Sequence, residues 1–441
     1  MKIATTQRIY IQKLFKNMNS KEDFIFLLNE AKKTFYGDKI IPFEERQLNY
    51  YVNKNVVIYK NEKLFISKKE GNVEKSFYNT FLIKKKSGGD RIIFSPVKGL
   101  KELQKALNII IQCVHQPHPA ATGFVFEKSI VDNAKVHVGQ YFVCNLDLEN
   151  FFPSVDQSRI WGRLLIEPFN LNNTPERKKI ANMIASLVCT NMQVERLINK
   201  KWTKIFTSVL PQGAPTSPTI TNAICEKLDK KMAGVAKRFG LNYTRYADDI
   251  TFSGKHNSYE ISPNNFERIF TKNSSFDKEI RKIISLQNFK INEPKYRLQK
   301  DIFRQEVTGL VVNTKVNVTQ RYTKTLRQWL YYWETYGYDK AYGMFVEKYF
   351  LDKGHFKKGH PNMAMVISGK LLYLKMVKGD NDGTYLKLKD RFDKLFNLND
   401  SISLILDTWE KEGIEKAMLS YYSALNKKND KEINKNNFTN A

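Results

Sequence analysis

Cysteine is scarce in this chain: four in 441 residues, at Cys113, Cys144, Cys189 and Cys225. None forms a C-x-x-C pair, which leaves no visible zinc finger or disulfide framework and fits a reducing compartment. Cys113, His115 and His118 lie close together, but no second ligand pair completes a zinc site, and they read as structural. Long apolar runs are missing too. No stretch approaches the roughly 18 residues of a membrane span, and no charged-then-apolar leader opens the chain. The expectation is a soluble, cytoplasmic protein with no membrane partner. Acidic residues are the third shortage: 45 Asp and Glu stand against 72 Lys and Arg, a formal net charge of +27. That excess suits a polyanionic partner, although a Lys-, Asn- and Ile-rich composition of AT-biased coding accounts for part of it. No internal repeat is evident. The length allows two or three subdomains and a sizeable core.

In a chain poor in acids, Tyr246-Ala247-Asp248-Asp249 puts two side by side. They stand between Leu241-Asn242-Tyr243 and Ile250-Thr251-Phe252, a pattern that predicts a β-hairpin with acids at its tip. Adjacent carboxylates at a tight turn repel each other, so folding alone does not call for them; a bound divalent cation does. A third carboxylate can be proposed. The apolar run Tyr141-Phe142-Val143-Cys144-Asn145-Leu146 suits a buried strand and ends at Asp147, whose acid would project into a cleft. Three carboxylates at one place would make a two-metal site for phosphoryl or nucleotidyl transfer. For Asp147 taken alone, a helix N-cap after a strand is the plainer reading.

These residues resemble a known family. Asp147-Leu148-Glu149-Asn150-Phe151-Phe152-Pro153-Ser154, Leu210-Pro211-Gln212-Gly213-Ala214-Pro215-Thr216-Ser217-Pro218 and Tyr246 to Asp249 look like the palm motifs of reverse transcriptases, in order. Ile83-Lys84-Lys85-Lys86-Ser87-Gly88-Gly89-Asp90-Arg91 resembles the fingers motif, and Ile291-Asn292-Glu293-Pro294-Lys295 the lysine-bearing motif after the catalytic hairpin. Asn133-Ala134-Lys135-Val136-His137 is similar to the NAxxH signature and Val307-Thr308-Gly309 to the VTG signature of bacterial retron reverse transcriptases. The resemblance covers roughly residues 20 to 312.

It implies an α+β right-hand polymerase: fingers, a palm of antiparallel sheet packed on helices, and a helical thumb. On this chain that gives an N-terminal helical extension at 1–50, fingers at 51–140 with part of 156–205, palm at 141–312, and a helical thumb and C-terminal region at 313–425. Residues 426–441 are Asn/Lys-rich, nearly without apolar residues, and are expected to be disordered. Local patterns agree. Ser20 is a candidate N-cap for the Lys21–Asn29 stretch, residues 78–95 read as strand-turn-strand, Leu100–Val114 as an amphipathic helix, and Arg321–Tyr349 as helix.

The resemblance also implies roles. Asp147, Asp248 and Asp249, with the Leu148 carbonyl, would hold two Mg²⁺ ions, Mn²⁺ being a possible substitute. Lys85 and Arg91 would grip the triphosphate; fixed cations and a bidentate guanidinium suit phosphate oxygens, while a solvated basic turn is the plainer reading. Phe152 would exclude a 2′-hydroxyl by its bulk, with Phe151 in the core. Gln212 would contact nucleotide and template from a loop shaped by Gly213 and Pro215. Lys295 would act as general acid to the pyrophosphate, or is simply a surface lysine.

Asn133 and His137, four apart, could share a helix face. They read alone as a structural cap and by resemblance as an RNA contact. Val307, Thr308 and Gly309 would also meet RNA, with Thr308 and Gly309 at a turn. Arg321, Lys324 and Arg327 recur every third residue, either as a basic stripe facing a duplex or as a solvated face. Trp329, Tyr331, Tyr332 and Trp333 read as thumb core.

The family's partners would be a cognate structured non-coding RNA, dNTPs and the DNA product. That product is a branched RNA–DNA hybrid, multicopy single-stranded DNA, primed from an internal guanosine 2′-hydroxyl. An effector protein encoded nearby would act with it in phage defence. No nuclease motif is visible, which leaves template removal to a host enzyme, RNase H. The rivals are a group II intron-type enzyme, for which no zinc-bearing endonuclease segment is visible, another stand-alone defence polymerase, and a catalytically dead RNA-binding scaffold.

Overall fold

A computed structural model describes residues 3–37, 40–52, 57–60, 63–66, 68–69, 72–73, 77–84, 88–198, 201–255, 260–262, 265–268, 272–353, 359, 361–396, 408–419 and 421. Lys85 and the expected disordered tail 426–441 lie outside the described residues. The chain divides into two compact units, Lys2–Lys315 and Val316–Ala441.

The first unit opens with three helices, α1 (Thr5–Asn17), α2 (Lys21–Tyr36) and α3 (Glu45–Val52). Ser20 caps α2 in a reciprocal capping box with Asp23, so the first free amides of the helix find partners. Phe24, Leu27, Leu28 and Ala31 on α2 are fully buried. They pack toward α4 (Lys98–Val114), whose Leu100, Leu103, Leu107 and Ile110 repeat at helical spacing and are equally buried. Each buried Leu, Ile or Phe side chain contributes about 1.5–3 kcal/mol by leaving water. Short strands β1 (Val57–Lys60) with β2 (Lys63–Ile66), and β3 (Lys68–Lys69) with β4 (Asn72–Val73), form two small hairpins. The expected strand-turn-strand is β5 (Tyr78–Lys84) against β6 (Asp90–Pro96), with Gly88 and Gly89 both at positive φ in the connection.

At the centre lies β7 (Phe142–Glu149), which is almost wholly buried and has paired neighbours on both edges. Three helices follow or support it: α5 (Ile130–Lys135) before, then α6 (Gln157–Leu165) and α7 (Pro175–Val188). A long antiparallel hairpin, β8 (Thr190–Ile198) with β9 (Lys201–Val209), leads into α8 (Ser217–Arg238). The next hairpin is β10 (Asn242–Tyr246) with β11 (Asp249–Gly254). The short pair β12 (Glu260–Ser262) and β13 (Asn265–Arg268) precedes α9 (Ser275–Leu286). Then come β14 (Lys290–Ile291), β15 (Arg297–Lys300), and a last hairpin, β16 (Glu306–Val307) with β17 (Leu310–Val311). The main sheet runs β10-β11-β7, with β14 and β15 sharing the far edge of β7, all antiparallel. This antiparallel sheet packed on helices is the α+β core that the sequence predicts.

The second unit is helical. Its first helix, α10 (Gln320–Lys353), is broken at Gly337, where φ is 76°. Leu326, Trp329, Leu330 and Trp333 form its buried stripe. With α11 (Met363–Lys378) and α12 (Gly383–Phe396) they build a core in which the Trp333 ring meets Phe392 and Phe396 edge-on. Trp329 and Trp333 are core, as expected, but Tyr331 is not: half its surface is exposed, because it points off the apolar stripe.

Candidate active site

The buried stem of β7 carries Asp147 near its end, and β11 lies beside it in register, with Asp249 directly opposite Asp147. Asp248 sits in the two-residue turn between paired Tyr246 and Asp249, so the acids do cap a hairpin. Ala247 in that turn has φ 57°, a left-handed conformation that tight two-residue hairpins demand and a side chain tolerates poorly. The turn is tied to the strand beside it: Leu148 N–H donates to the Asp248 carbonyl at 3.1 Å. One hundred residues apart in sequence, Asp147 and Asp248 meet through the sheet.

Asp147 is nearly buried and both its oxygens are held. Asn292 Nδ2 donates to Oδ1 at 2.8 Å and Lys295 Nζ to Oδ2 at 2.8 Å. Asn292 also donates its backbone N–H to the Asp147 carbonyl. Removal from water, then the charge of Asp147, raises the pKa of Asp248. Asp249 keeps solvent contact on one side. Even so, the protein crowded around it, followed by the charges of Asp248 and Asp147, pushes its carboxyl up to about 7. Lys295 opposes this rise at both acids. Clustered carboxylates that resist ionisation are a site short of positive charge.

Sequence reasoning missed what stands behind the turn. Arg245 is fully buried one residue before Tyr246. Its Nε and Nη2 reach Asp229 Oδ1 and Oδ2, both at 2.7 Å, its Nη1 donates to the Ala247 carbonyl at 3.0 Å, and its Nη2 also reaches Asn222 Oδ1. Tyr243 Oη donates to the same Asp229 at 2.7 Å. Burial works against the charge on Arg245, but the Asp229 carboxylate outweighs it and the pKa is raised. On the outer side, Gly123 passes so close that a Cβ there would lie 2.7 Å from Ala247 N. The available signal was a lone Arg inside a buried strand, which needs a buried acid somewhere.

Among the nucleotide-site candidates, Arg91 is exposed on β6, and its charge counts among those that lower the Asp248 pKa. Gln212 is half-buried and its carbonyl accepts from Phe94 N–H at 2.8 Å, which clamps the 210–218 loop onto β6. Gly213, at φ 118°, makes that approach possible, since a Cβ would meet Ile93 Cγ2 at 2.7 Å and the Phe94 carbonyl at 2.8 Å. Phe152 is partly buried, its ring 5.4 Å from that of Phe151, and Phe151 is core, packed on Phe289. Lys295 is half-exposed and paired with Asp147.

The RNA-site candidates separate into two kinds. Asn133 and His137 do not share a helix face, because α5 ends at Lys135 and His137 lies in the turn beyond. Both are buried, which leaves their side chains no direct contact with RNA in this conformation. His137 spans the β10–β11 hairpin from behind, with Nδ1 2.6 Å from Ser253 Oγ and Nε2 2.7 Å from Thr244 Oγ1. Asn133 Oδ1 accepts from Thr122 Oγ1, which also donates to the Arg245 carbonyl. Val307 is buried, while Thr308 and Gly309, at φ 48° and 79°, form the two-residue turn of the last hairpin. Arg321, Lys324 and Arg327 are exposed on α10, away from its apolar stripe. Of the Cys113 group, His115 is buried, 3.4 Å from Glu226 Oε2, and stacked on Phe169.

The donors on β7 and at the hairpin tip are hard carboxylate oxygens, which fit a divalent cation in type. In this conformation, among the described residues, no three acidic, His or Cys side chains form a ready metal cluster. Lys295 supplies the positive charge at Asp147 instead.

Residues 83–317, more than half of the chain, match the reverse transcriptase (RNA-dependent DNA polymerase) family. Similar curated proteins include the Retron Mx65 reverse transcriptase of Myxococcus xanthus, 34% identical over 254 residues, 58% of this chain and 55% of that protein. The Retron Mx162 reverse transcriptase of the same organism is 36% identical over 54% of this chain and 47% of that protein. The Retron Ec86 reverse transcriptase of Escherichia coli is 31% identical over 57% and 68% respectively. The chain belongs to the reverse transcriptase family and, within it, to the retron group. Its α+β fold is that of a right-hand polymerase. The matched region spans only about half the length of the two Myxococcus relatives. Among solved structures, telomerase from Candida albicans in complex with the TWJ fragment of telomeric RNA aligns with a TM-score of 0.39 and 8% identity, over 91% of this chain and 71% of that one. Among the described residues no helix is long and apolar enough to cross a membrane.

Proposed function

We propose that this protein is an RNA-directed DNA polymerase of the retron type. It would copy a cognate structured non-coding RNA from an internal guanosine 2′-hydroxyl into branched multicopy single-stranded DNA, in phage defence with an effector encoded nearby. The observation that carries the catalytic part is the register of β7 and β11, which puts Asp147 opposite Asp249 with Asp248 in the adjoining turn. In this reading 51–140, with part of 156–205, serve as fingers, 141–312 as palm and 313–425 as thumb.

Asp147, Asp248, Asp249 and the Leu148 carbonyl would hold two Mg²⁺ ions, or Mn²⁺ in their place. Bound there, the ions lower the pKa of the attacking hydroxyl and neutralise charge on the pyrophosphate. The raised pKa values of Asp248 and Asp249 support this, because burial and neighbouring carboxylates leave the site short of the positive charge that a bound cation would supply. The protein's own contribution is to orient and to discriminate. Arg91 and Lys85 bind the triphosphate, Gln212 fixes the nucleotide from a loop clamped to β6, and Phe152 rejects a 2′-hydroxyl. Lys295, already at the acids, holds the proton for the leaving pyrophosphate. Thr308, Gly309, Arg321, Lys324 and Arg327 are the surface candidates for RNA. Val307, Asn133 and His137, being buried, would act on it only by holding the hairpins in shape.

Nucleic acid from cells expressing the gene with its native flanking DNA tests the proposal on a denaturing gel, with and without RNase. A discrete DNA species that shifts with RNase and is absent with Asp248→Asn is expected. Polymerase activity on an added primer–template without such a species would remove the self-primed reading.

A further inference from the structure

The β8–β9 hairpin has two unlike faces. On one, Met192 and Val194 are buried and Arg196 pairs with Asp156 and the Pro153 carbonyl, so that face is spent on folding. On the other, alternate residues of β9 present Trp202, Lys204 and Phe206 outward. Trp202 is 50% exposed and Phe206 37%. Across the hairpin, Glu195 lies opposite Lys204 and Gln193 opposite Phe206, both exposed. Folding does not require two aromatic rings on this surface. Lys290 Nζ stands 4.9 Å from the centroid of the Trp202 ring and 2.9 Å from Glu149 Oε2. Lys290 belongs to β14, whose Ile291 pairs with Leu148 and whose neighbour Asn292 bonds Asp147. The aromatic face therefore continues, through one lysine, to the strand that carries the first catalytic acid.

We infer that Trp202, Phe206, Lys204 and Lys290 form a stacking platform for an unpaired nucleic-acid strand, the template strand beside the copying site. This rests on the polymerase reading above. Rings with an open π-face stack any base, and the interleaved lysines take the phosphates, so the surface binds without reading sequence. A second copy of this chain is the poorer occupant. The patch is broken by charge, and a protein of net charge +27 repels itself.

The test is fluorescence anisotropy of the full chain with a labelled oligo(rU) strand, between about 50 and 200 mM salt. Trp202→Ala and Phe206→Ala should each weaken binding roughly 5- to 150-fold. Trp202→Phe should restore most of the loss. Lys204→Gln should lower the salt slope by about one. Thermal unfolding of each variant should stay within a few degrees of the parent, because neither ring belongs to the buried core, and Trp202→Phe separates lost stacking from lost packing. Alanine variants that bind within about twofold of the parent would overturn the proposal, as would a dimer in sedimentation that Trp202→Ala dissolves while strand binding persists. Extension of an annealed primer–template by the unmodified chain is run in parallel. Its failure would count against the polymerase reading, whereas strand binding needs no turnover and decides the platform by itself.

Discussion

Replacing Arg245 with Met removes the charge that stands behind the Ala247-Asp248 turn. The substitution keeps approximate volume and apolar stem but deletes four hydrogen bonds, two to Asp229, one to the Ala247 carbonyl and one to Asn222, together with the favourable charge itself. Asp229 is then left fully buried, with the Tyr243 hydroxyl as a remaining donor. Breaking a buried pair from one side costs about 3–5 kcal/mol, chiefly for the stranded charge. In a unit of this size that is a fall in unfolding midpoint on the order of 10 °C. Adding Asp229→Leu removes the stranded acid and should recover more than half of the loss, since a buried pair itself contributes little net stability. The turn is another matter. In both variants the Ala247 carbonyl lacks its guanidinium, so primer extension should remain depressed in the double variant although stability returns. Thermal melts followed by circular dichroism, and extension assays at saturating nucleotide, separate the two effects. A single variant losing under about 1 kcal/mol would refute the reading of Arg245 as the partner that makes Asp229 tolerable. A double variant with full extension activity would refute the link to the turn.

Four further outcomes are expected. Asp248→Asn should lower DNA synthesis by about 10³-fold or more while leaving the fold intact, as measured by primer extension beside thermal melts. Gly123→Ala drives a Cβ to within 2.7 Å of Ala247 N, and should reduce kcat for extension with little change in nucleotide KM. Phe152→Val should raise ribonucleotide incorporation relative to deoxyribonucleotide by roughly 10- to 200-fold, read by competition assays. The fourth concerns pH. Burial holds the pKa of His137 at about 3 against an ordinary 6.5, so the unfolded chain binds a proton that the folded chain refuses. His137 therefore costs stability only as pH falls from about 6.5 toward 3, at up to about 1.4 kcal/mol per unit. His137→Asn should flatten that part of the stability–pH curve, and an unchanged slope would show that the proton is lost elsewhere.

The parts of the site that the sequence made legible are those where one residue type has a single physical reason to be present. Paired acids between apolar runs have no folding rationale, and the hairpin they predicted is there in register. An amphipathic repeat such as Leu100, Leu103, Leu107 and Ile110 names its own buried face. What stayed hidden were partnerships across long separations, because a polar residue in sequence carries no mark of what will satisfy it. Asn133 and His137 read on their own as structural and only by resemblance as an RNA contact; both are buried at the back of the hairpin that holds the acids, on partners the sequence did not name. Arg245 and Asp229, sixteen residues apart on a strand and a helix, could be paired only once the fold had brought them together. The two classes are linked. Carboxylates crowded at a turn are destabilising, and a strained Ala247 adds to this. A hairpin of that kind persists only if buried polar groups over-determine it, and Arg245, Asp229, Thr122, Asn133 and His137 are those groups. The same demand that makes the acids conspicuous thus accounts for a second set of polar residues, set in the core and silent in composition.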